Sequence, residues 1–126
     1  MSGTEAAEFQ HLDWSTIPSE RIDGGIERQM ICGSQLMVCR IRIPPGIVTA
    51  VHAHPHEQIT LVERGTLRFI VGGQERLSSK GDVLHFPSHC AHGAATLDEE
   101  VVLLDIFSPP REDFLAVGGD AGVRPG

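Results

Sequence analysis

The sequence lacks the features that would direct it to a membrane, a nucleic acid or a disulfide-forming compartment. No apolar run approaches the 18 residues that a membrane span needs, and the polar start MSGTEAAEFQ is unlike a signal peptide. Ten scattered basic residues face 17 acidic ones, for a net charge of −7, which disfavours contact with phosphate backbones or anionic lipid. We therefore expect a cytoplasmic protein with neither nucleic-acid nor membrane partners.

Cysteine is also scarce. Cys32, Cys39 and Cys90 are odd in number and form no C-x-x-C pair, which argues against a disulfide framework and against a thiolate metal site. Cys90 lies in a histidine-rich stretch, but a small packing residue in a reducing compartment is the simpler interpretation.

Short apolar runs closed by turn residues dominate the chain. Fourteen glycines and eight prolines in 126 residues make tight turns frequent. We find no helical period before residue 110, and strands at near-regular spacing predict an all-β sandwich or barrel. The predicted runs are 26–32, 36–43, 48–54, 58–62, 66–71, 74–77, 82–86 and 101–107.

The organisation of the chain is that of one domain. There is no internal repeat and no linker long enough to divide residues 1–126, which suffice for a single hydrophobic core. We expect a loosely held leader over 1–12, a barrel with its C-terminal segment over 13–117 and a flexible tail over 118–126. Within the second of these, residues 111–117 (REDFLAV) are compatible with one or two helical turns.

Six of the seven histidines fall between positions 52 and 92. His52 and His54 are two residues apart, so on a strand both imidazoles leave the same face. Burying two neutral imidazoles side by side is costly without partners, because each ring carries a donor and an acceptor. A divalent metal would serve as one partner to both rings.

Two spaced motifs contain these histidines: Gly46-x5-His52-x-His54-x3-Gln58-x6-Gly65 and Gly81-x5-Pro87-x4-His92. They match the two motifs of the RmlC-like cupin superfamily in spacing and order, and the chain resembles a small single-domain cupin. The resemblance implies a single jelly-roll β-barrel of two antiparallel sheets, and often a homodimer. It also implies one divalent transition metal (zinc, nickel, manganese or iron), bound by His52, His54, Gln58 and His92. The alternative is a cupin that has lost its metal and keeps only the barrel.

Gln58 stands where the family usually has glutamate. Three neutral imidazoles and a neutral amide leave the +2 charge of the ion uncompensated, so an oxygen on an open position is polarised more strongly. This favours Lewis-acid chemistry on an oxygen-rich anion over redox cycling.

Asp105 interrupts a strongly apolar strand, since residues 101–104 are all apolar. A buried carboxylate is costly unless it is paired or hydrogen-bonded. Alternation places Asp105 on one face with Leu103 and Phe107. It is either an acid/base group beside the metal or a structural carboxylate tied to the backbone or to an arginine such as Arg40.

The stretches 52–58 and 105–114 resemble one group of cupins, the pectin-degradation proteins that convert cyclic unsaturated monouronates into the linear keto-uronate. That resemblance implies catalytic roles for Asp105 and Arg111, with Phe107 packed against the sugar. Arg111 would hold the substrate carboxylate together with the metal, and Asp105 would move a proton as the enol ether opens. For Arg111 the alternative is a surface charge at the start of a helix.

Arg40 and His56 are the remaining candidates for substrate binding. Arg40 alternates with the apolar residues of its strand, and Pro55 breaks the strand before His56, so the sequence leaves open whether either side chain faces the cavity. The expected partner is a small sugar acid. The alternatives are a metal-dependent cupin dioxygenase and a non-catalytic sugar-binding or sensor cupin.

Overall fold

The computed structural model describes residues 8–115. Trp14–Thr16 form a short 3-10 turn, and the strands and the short helix of the described part follow it. These elements are β1 (Glu20–Arg21), β2 (Glu27–Cys32), β3 (Met37–Ile43), β4 (Glu57–Arg64), β5 (Thr66–Val71), β6 (Gln74–Ser79), β7 (Val83–Phe86), β8 (His92–Thr96), β9 (Val101–Ser108) and α1 (Glu112–Leu115).

The strands form two antiparallel sheets. One has six strands in the order β1-β2-β3-β9-β4-β7, and the other has three in the order β6-β5-β8. This confirms the predicted all-β fold of two antiparallel sheets with a short C-terminal helical turn. The helix α1 lies within the predicted 111–117, whose last two residues are outside the described part of the chain.

Most predicted runs coincide with strands. The two-residue strand β1 was not predicted, and two longer regions also differ. Residues 48–54 were predicted as a strand but carry only isolated bridges at Val48 and His52. The strand β8 was not predicted, because its sequence His-Gly-Ala-Ala-Thr is poor in the β-branched and aromatic residues typical of strands. Both departures matter, since these two segments pair with each other.

The core lies between the two sheets, and the alternation of buried and outer residues is clearest in β3 and β4. Along β3, residues 37, 39, 41 and 43 are buried while 38, 40 and 42 are half-buried on the outer face. In β4 the side chains of Gln58, Thr60 and Val62 point inward, so two polar groups enter the core together. The buried apolar residues include Ile26, Met37, Cys39, Ile41, Ile43, Val62, Leu67, Phe69, Phe86, Val101, Leu103, Phe107 and Phe114.

Gly65 connects the two sheets between β4 and β5. Its φ is +84°, and a Cβ at this position would lie 2.5 Å from the carbonyl oxygen of Glu100. Only glycine tolerates both the left-handed backbone and this close approach. The glycine that ends the first histidine motif is therefore required by the turn.

The chain ends lie partly outside the described residues. Residues 8–12 of the predicted leader have no regular structure, and residues 1–7 and the whole predicted tail over 118–126 are not described. Over the described part of the chain, no helix is long and apolar enough to cross a membrane.

Candidate metal centre

His52 and His92 are paired in an antiparallel bridge between two backbone segments. The N–H of each donates to the carbonyl of the other, at 3.0 and 2.9 Å. Gly93 allows this approach, because a Cβ there would lie 3.2 Å from the carbonyl oxygen of Thr49. The imidazole centroids of the two residues are 4.8 Å apart. The segment holding the first motif is therefore docked directly on the strand holding the second.

His54 is buried, and both its backbone and its ring make contacts that fix its position. Its carbonyl accepts a hydrogen bond of 2.7 Å from the N–H of His89, a residue with a φ of +66° in the turn after Pro87. Its ring packs edge-on against Phe107 at 5.8 Å and against His92 at 5.3 Å. These contacts orient the imidazole.

The tautomer of each ring is set by the backbone. The Nδ1 atom lies against a main-chain carbonyl oxygen two residues away, at 3.1 Å for His52, 3.0 Å for His54 and 2.9 Å for His92. A carbonyl can only accept, so Nδ1 carries the proton and Nε2 presents a lone pair. This is the arrangement that orients metal-binding histidines in proteins.

The three histidines form a group able to bind an ion. One nitrogen from each lies within 4.8 Å of the others. Burial, together with the nearby Arg111 and His92, lowers the pKa of His54 to about 4. His54 is therefore neutral at pH 7, and neutral imidazole is the form that binds metal.

Gln58 completes the group. Its Oε1 lies 3.1 Å from Nε2 of His54, and neither atom has a proton to share with the other. Two lone pairs facing each other repel, whereas two ligands of one ion, each about 2.1 Å from it and at right angles, lie about 3.0 Å apart. The four side chains therefore fit a divalent transition metal, and such nitrogen and oxygen donors suit several first-row ions.

Asp105 lies beneath these residues with no exposed surface. Its Oδ1 accepts a 2.6 Å hydrogen bond from the hydroxyl of Thr60, and it shares an enclosed cavity of about 20 Å³ with Gln58 and His92. Burial raises the pKa of Asp105 to about 6, against the opposing effects of Thr60, His92 and Arg111. The alternative of a pair with Arg40 is wrong, since Thr60 is the partner.

In the metal-free protein, the stability of the wild type relative to Asp105→Asn is expected to fall by about 3 kcal/mol between pH 4 and pH 7. Burial raises the pKa of Asp105 to about 6, so ionisation is harder in the folded than in the unfolded chain. Well below pH 4 the Asp105 carboxyl is protonated in both the folded and the unfolded chain. The free-energy penalty of ionising it in the folded chain grows as pH rises and levels off above pH 6. Urea unfolding in EDTA measures the free energy of unfolding of the wild type and of Asp105→Asn at each pH. Parallel pH curves for the two proteins would contradict the prediction. The lowered pKa of His54 makes stability rise with pH. This opposite contribution is present in both proteins, so it cancels in their difference.

Arg111 is buried at the start of the C-terminal segment. Its Nε and one Nη atom donate to the Asp113 carboxylate at 3.0 and 2.7 Å. The guanidinium lies 4.1 Å from the ring centroid of Phe114 and 5.2 Å from that of Phe107. Its Nη1 is buried and has no hydrogen-bond partner among the described residues. Arg111 is therefore a fixed cation whose Nη1 group is still available to donate a hydrogen bond.

An open cavity, here called the mouth, lies in front of the histidines. Its volume is about 480 Å³. His56 is buried at its edge and bonds through Nε2 to Glu112 at 3.0 Å, which lowers the pKa of Glu112. This contact ties the histidine segment to α1. The residues that line the mouth include His52, His54, His56, Arg111, Glu112 and Asp113.

Two predicted substrate-binding residues are not exposed at the mouth. Arg40 lies on the outer face of β3, where its Nε bonds to Glu63 at 3.1 Å, so the structure does not bring it to the candidate site. Phe107 faces the site, but its ring has no exposed surface and lies behind His54. In this arrangement it positions the imidazole rather than contacting a molecule in the mouth.

Two buried residues near the site, Thr60 and Arg28, were not predicted from the sequence. Thr60 bonds to both Gln58 and Asp105. Arg28 is fully buried, bonds to Glu20 at 2.7 Å and lies 4.1 Å from the Phe114 centroid. Alternation along β2 and β4 was the available signal, because it places Arg28 with Met30 and Thr60 with Gln58 on inward faces.

Two antiparallel sheets with a histidine cluster beside an open mouth define a cupin. The family model described as "Cupin domain" matches residues 39–107, more than half of the chain. The chain therefore belongs to the cupin family. Among its relatives is the pectin degradation protein KdgF of Dickeya dadantii (strain 3937), 36% identical over 101 residues, which cover 78% of this chain and 91% of that protein.

Solved structures agree with this placement. The structure of KdgF from Halomonas sp. superposes with a TM-score of 0.80 at 28% identity, over 85% of this chain and 99% of that one. An RmlC-like cupin from Shewanella frigidimarina gives 0.77 at 35% identity, over 84% and 96%. The predicted resemblance to the cupins of pectin degradation is confirmed.

Proposed function

We propose that this protein is a metal-dependent enzyme that converts an unsaturated monouronate into the linear keto-uronate without oxidation or reduction. The observation that carries the proposal is Arg111, which lines the mouth together with His52 and His54 and whose Nη1 has no hydrogen-bond partner among the described residues. A buried guanidinium next to a metal site suits a carboxylate. The relation to a pectin degradation protein supports a sugar acid as the small molecule.

The ligand residues hold one divalent ion in this proposal: His52, His54, Gln58 and His92. When bound, the ion supplies Lewis-acid polarisation of a substrate oxygen. Arg111 binds and orients the substrate carboxylate, and Asp113 and Phe114 keep its guanidinium in place. The His56–Glu112 contact keeps α1 against the mouth, so that Arg111 stays beside the histidines.

Asp105 moves the proton. Opening the ring breaks the bond between the ring oxygen and the anomeric carbon; the anomeric hydroxyl gives up its proton, and one alkene carbon gains a proton as the enol becomes a ketone. No electrons enter or leave. Burial raises the pKa of Asp105 to about 6, which is close enough to neutral pH for one carboxyl to accept and return a proton.

The test is incubation of the metal-loaded protein with unsaturated galacturonate while the ultraviolet absorbance of the conjugated double bond is followed. We expect the absorbance to fall at the same rate with and without dioxygen. Oxygen uptake would identify a dioxygenase instead. Tight binding of the uronate with no product over hours would identify a sensor.

Arg111→Met is expected to raise KM for the uronate by about 100-fold, because a buried charge-assisted contact to a carboxylate contributes about 1.5–3 kcal/mol. Methionine keeps much of the apolar stem packed on Phe114. The matched control is Arg40→Met on the outer face, which should leave KM unchanged. Equal KM values for the two variants would contradict the role of Arg111.

Several expectations from the sequence stay predictions. They are the single domain with its leader and tail, the homodimer and the cytoplasmic location. Light scattering of the purified protein measures the oligomeric state directly. The small-molecule partner is tested by the uronate assay.

A further inference from the structure

A chain of hydrogen bonds connects Asp105 to the candidate metal centre. The Thr60 hydroxyl donates to Oδ1 of Asp105 at 2.6 Å, and Nε2 of Gln58 donates to the Thr60 oxygen at 2.8 Å. Thr60 and Asp105 are direct cross-strand partners on β4 and β9. All three side chains are at most 1% exposed, so water cannot replace these bonds.

The direction of this chain follows from donor and acceptor chemistry. An ionised carboxylate only accepts, so the single hydroxyl hydrogen of Thr60 is committed to Asp105. The Thr60 oxygen can then only accept from Gln58, which must present its NH₂ group. The carbonyl oxygen of the amide therefore faces His54. This agrees with the 3.1 Å distance between Oε1 of Gln58 and Nε2 of His54.

We propose that Thr60 is a positioning residue that sets the polarity of the Gln58 amide and so makes Gln58 a metal ligand. Asp105 anchors the chain by taking the Thr60 hydrogen. The NH₂ end of an amide repels a cation, so a flipped Gln58 would oppose binding. The inference rests on the metal-binding part of the proposed function and is independent of the uronate chemistry.

The same chain accounts for glutamine at position 58. A glutamate there would place a second carboxylate oxygen against Thr60, which has one hydrogen and cannot satisfy two carboxylates. Buried like charges so close together disfavour ionisation of both. Within this chain, the amide is the ligand compatible with Asp105.

The first test compares Thr60→Val with Thr60→Ser. Valine removes the hydroxyl at nearly constant volume, and serine keeps it. Loss of a group that orients a ligand typically lowers metal affinity by about 10- to 100-fold, so we expect that loss for Thr60→Val and near wild-type affinity for Thr60→Ser. Competition with a chelator measures the affinity for zinc, and thermal unfolding of the metal-free variants checks that both fold. Equal affinity for zinc in both variants would overturn the proposal.

A second test needs no metal. Gln58→Glu is expected to lower the urea midpoint of the metal-free protein at pH 8 by more in the wild-type background than in the Asp105→Asn background, because asparagine removes one of the two competing carboxylates. Equal losses in both backgrounds would refute the polarity argument. If the zinc affinity depends on Thr60 but the protein converts no uronate, the proposed reaction is wrong. The inference about Thr60 is then unaffected.

Discussion

His52→Ala is expected to lower the affinity for divalent metal by more than about 100-fold and to abolish turnover. The loss should exceed the 10- to 100-fold typical of removing an outer partner, because a ligand itself is removed. His52 is half-buried at the mouth, so its truncation leaves the core intact. At an ion concentration of 100 times its Kd the wild type gains about 2.7 kcal/mol of stability, and the variant should gain almost none. Elemental analysis after dialysis and thermal unfolding with and without metal measure both effects.

His85→Ala is the matched control for this experiment. His85 is an exposed histidine on β7 that pairs with Glu57 at 2.7 Å, outside the histidine group at the mouth. It should retain wild-type metal content and activity. If His52→Ala bound metal as tightly as His85→Ala, the assignment of the ligands would have to be abandoned.

Asp105→Asn is expected to lower kcat by about 10²- to 10⁴-fold, the usual contribution of a general acid/base group. Metal affinity should change little, because the amide oxygen of asparagine still accepts the hydrogen bond from Thr60 that holds Gln58 in place. The fold should also persist, since asparagine has the shape of aspartate and removes a buried charge. Steady-state turnover of the unsaturated uronate and metal content, measured on one preparation, separate the two effects.

Glu63→Gln is the control for the removal of a carboxylate. Glu63 is on β4, like Thr60, but points to the outer face and pairs with Arg40. It should retain wild-type turnover. Undiminished turnover of Asp105→Asn would remove the proton-transfer role and leave Asp105 as the anchor of Thr60.

The strands and the candidate ligands could be predicted because their signals are local in sequence. Alternation over residues 37–43 predicted the inner and outer faces of β3 as the structure has them. The spacing of His52 and His54, with Gln58 and His92 added by the resemblance, predicted a set of side chains that the structure brings together. The strand β8 was not predicted, because its small residues have low β-propensity and form a strand only through pairing with neighbouring segments.

The sequence by itself determined the fold class, the inward faces and the identity of the candidate ligands, since period-2 alternation and motif spacing are properties of neighbouring residues. Only the tertiary structure decided what each group bonds to. Asp105 pairs with Thr60, 45 residues away, while Arg40, the partner considered from sequence, points outward to Glu63. Partners across strands depend on register, and so do the pKa of a buried carboxyl and the polarity of an amide. Residue types and spacing do not specify that register.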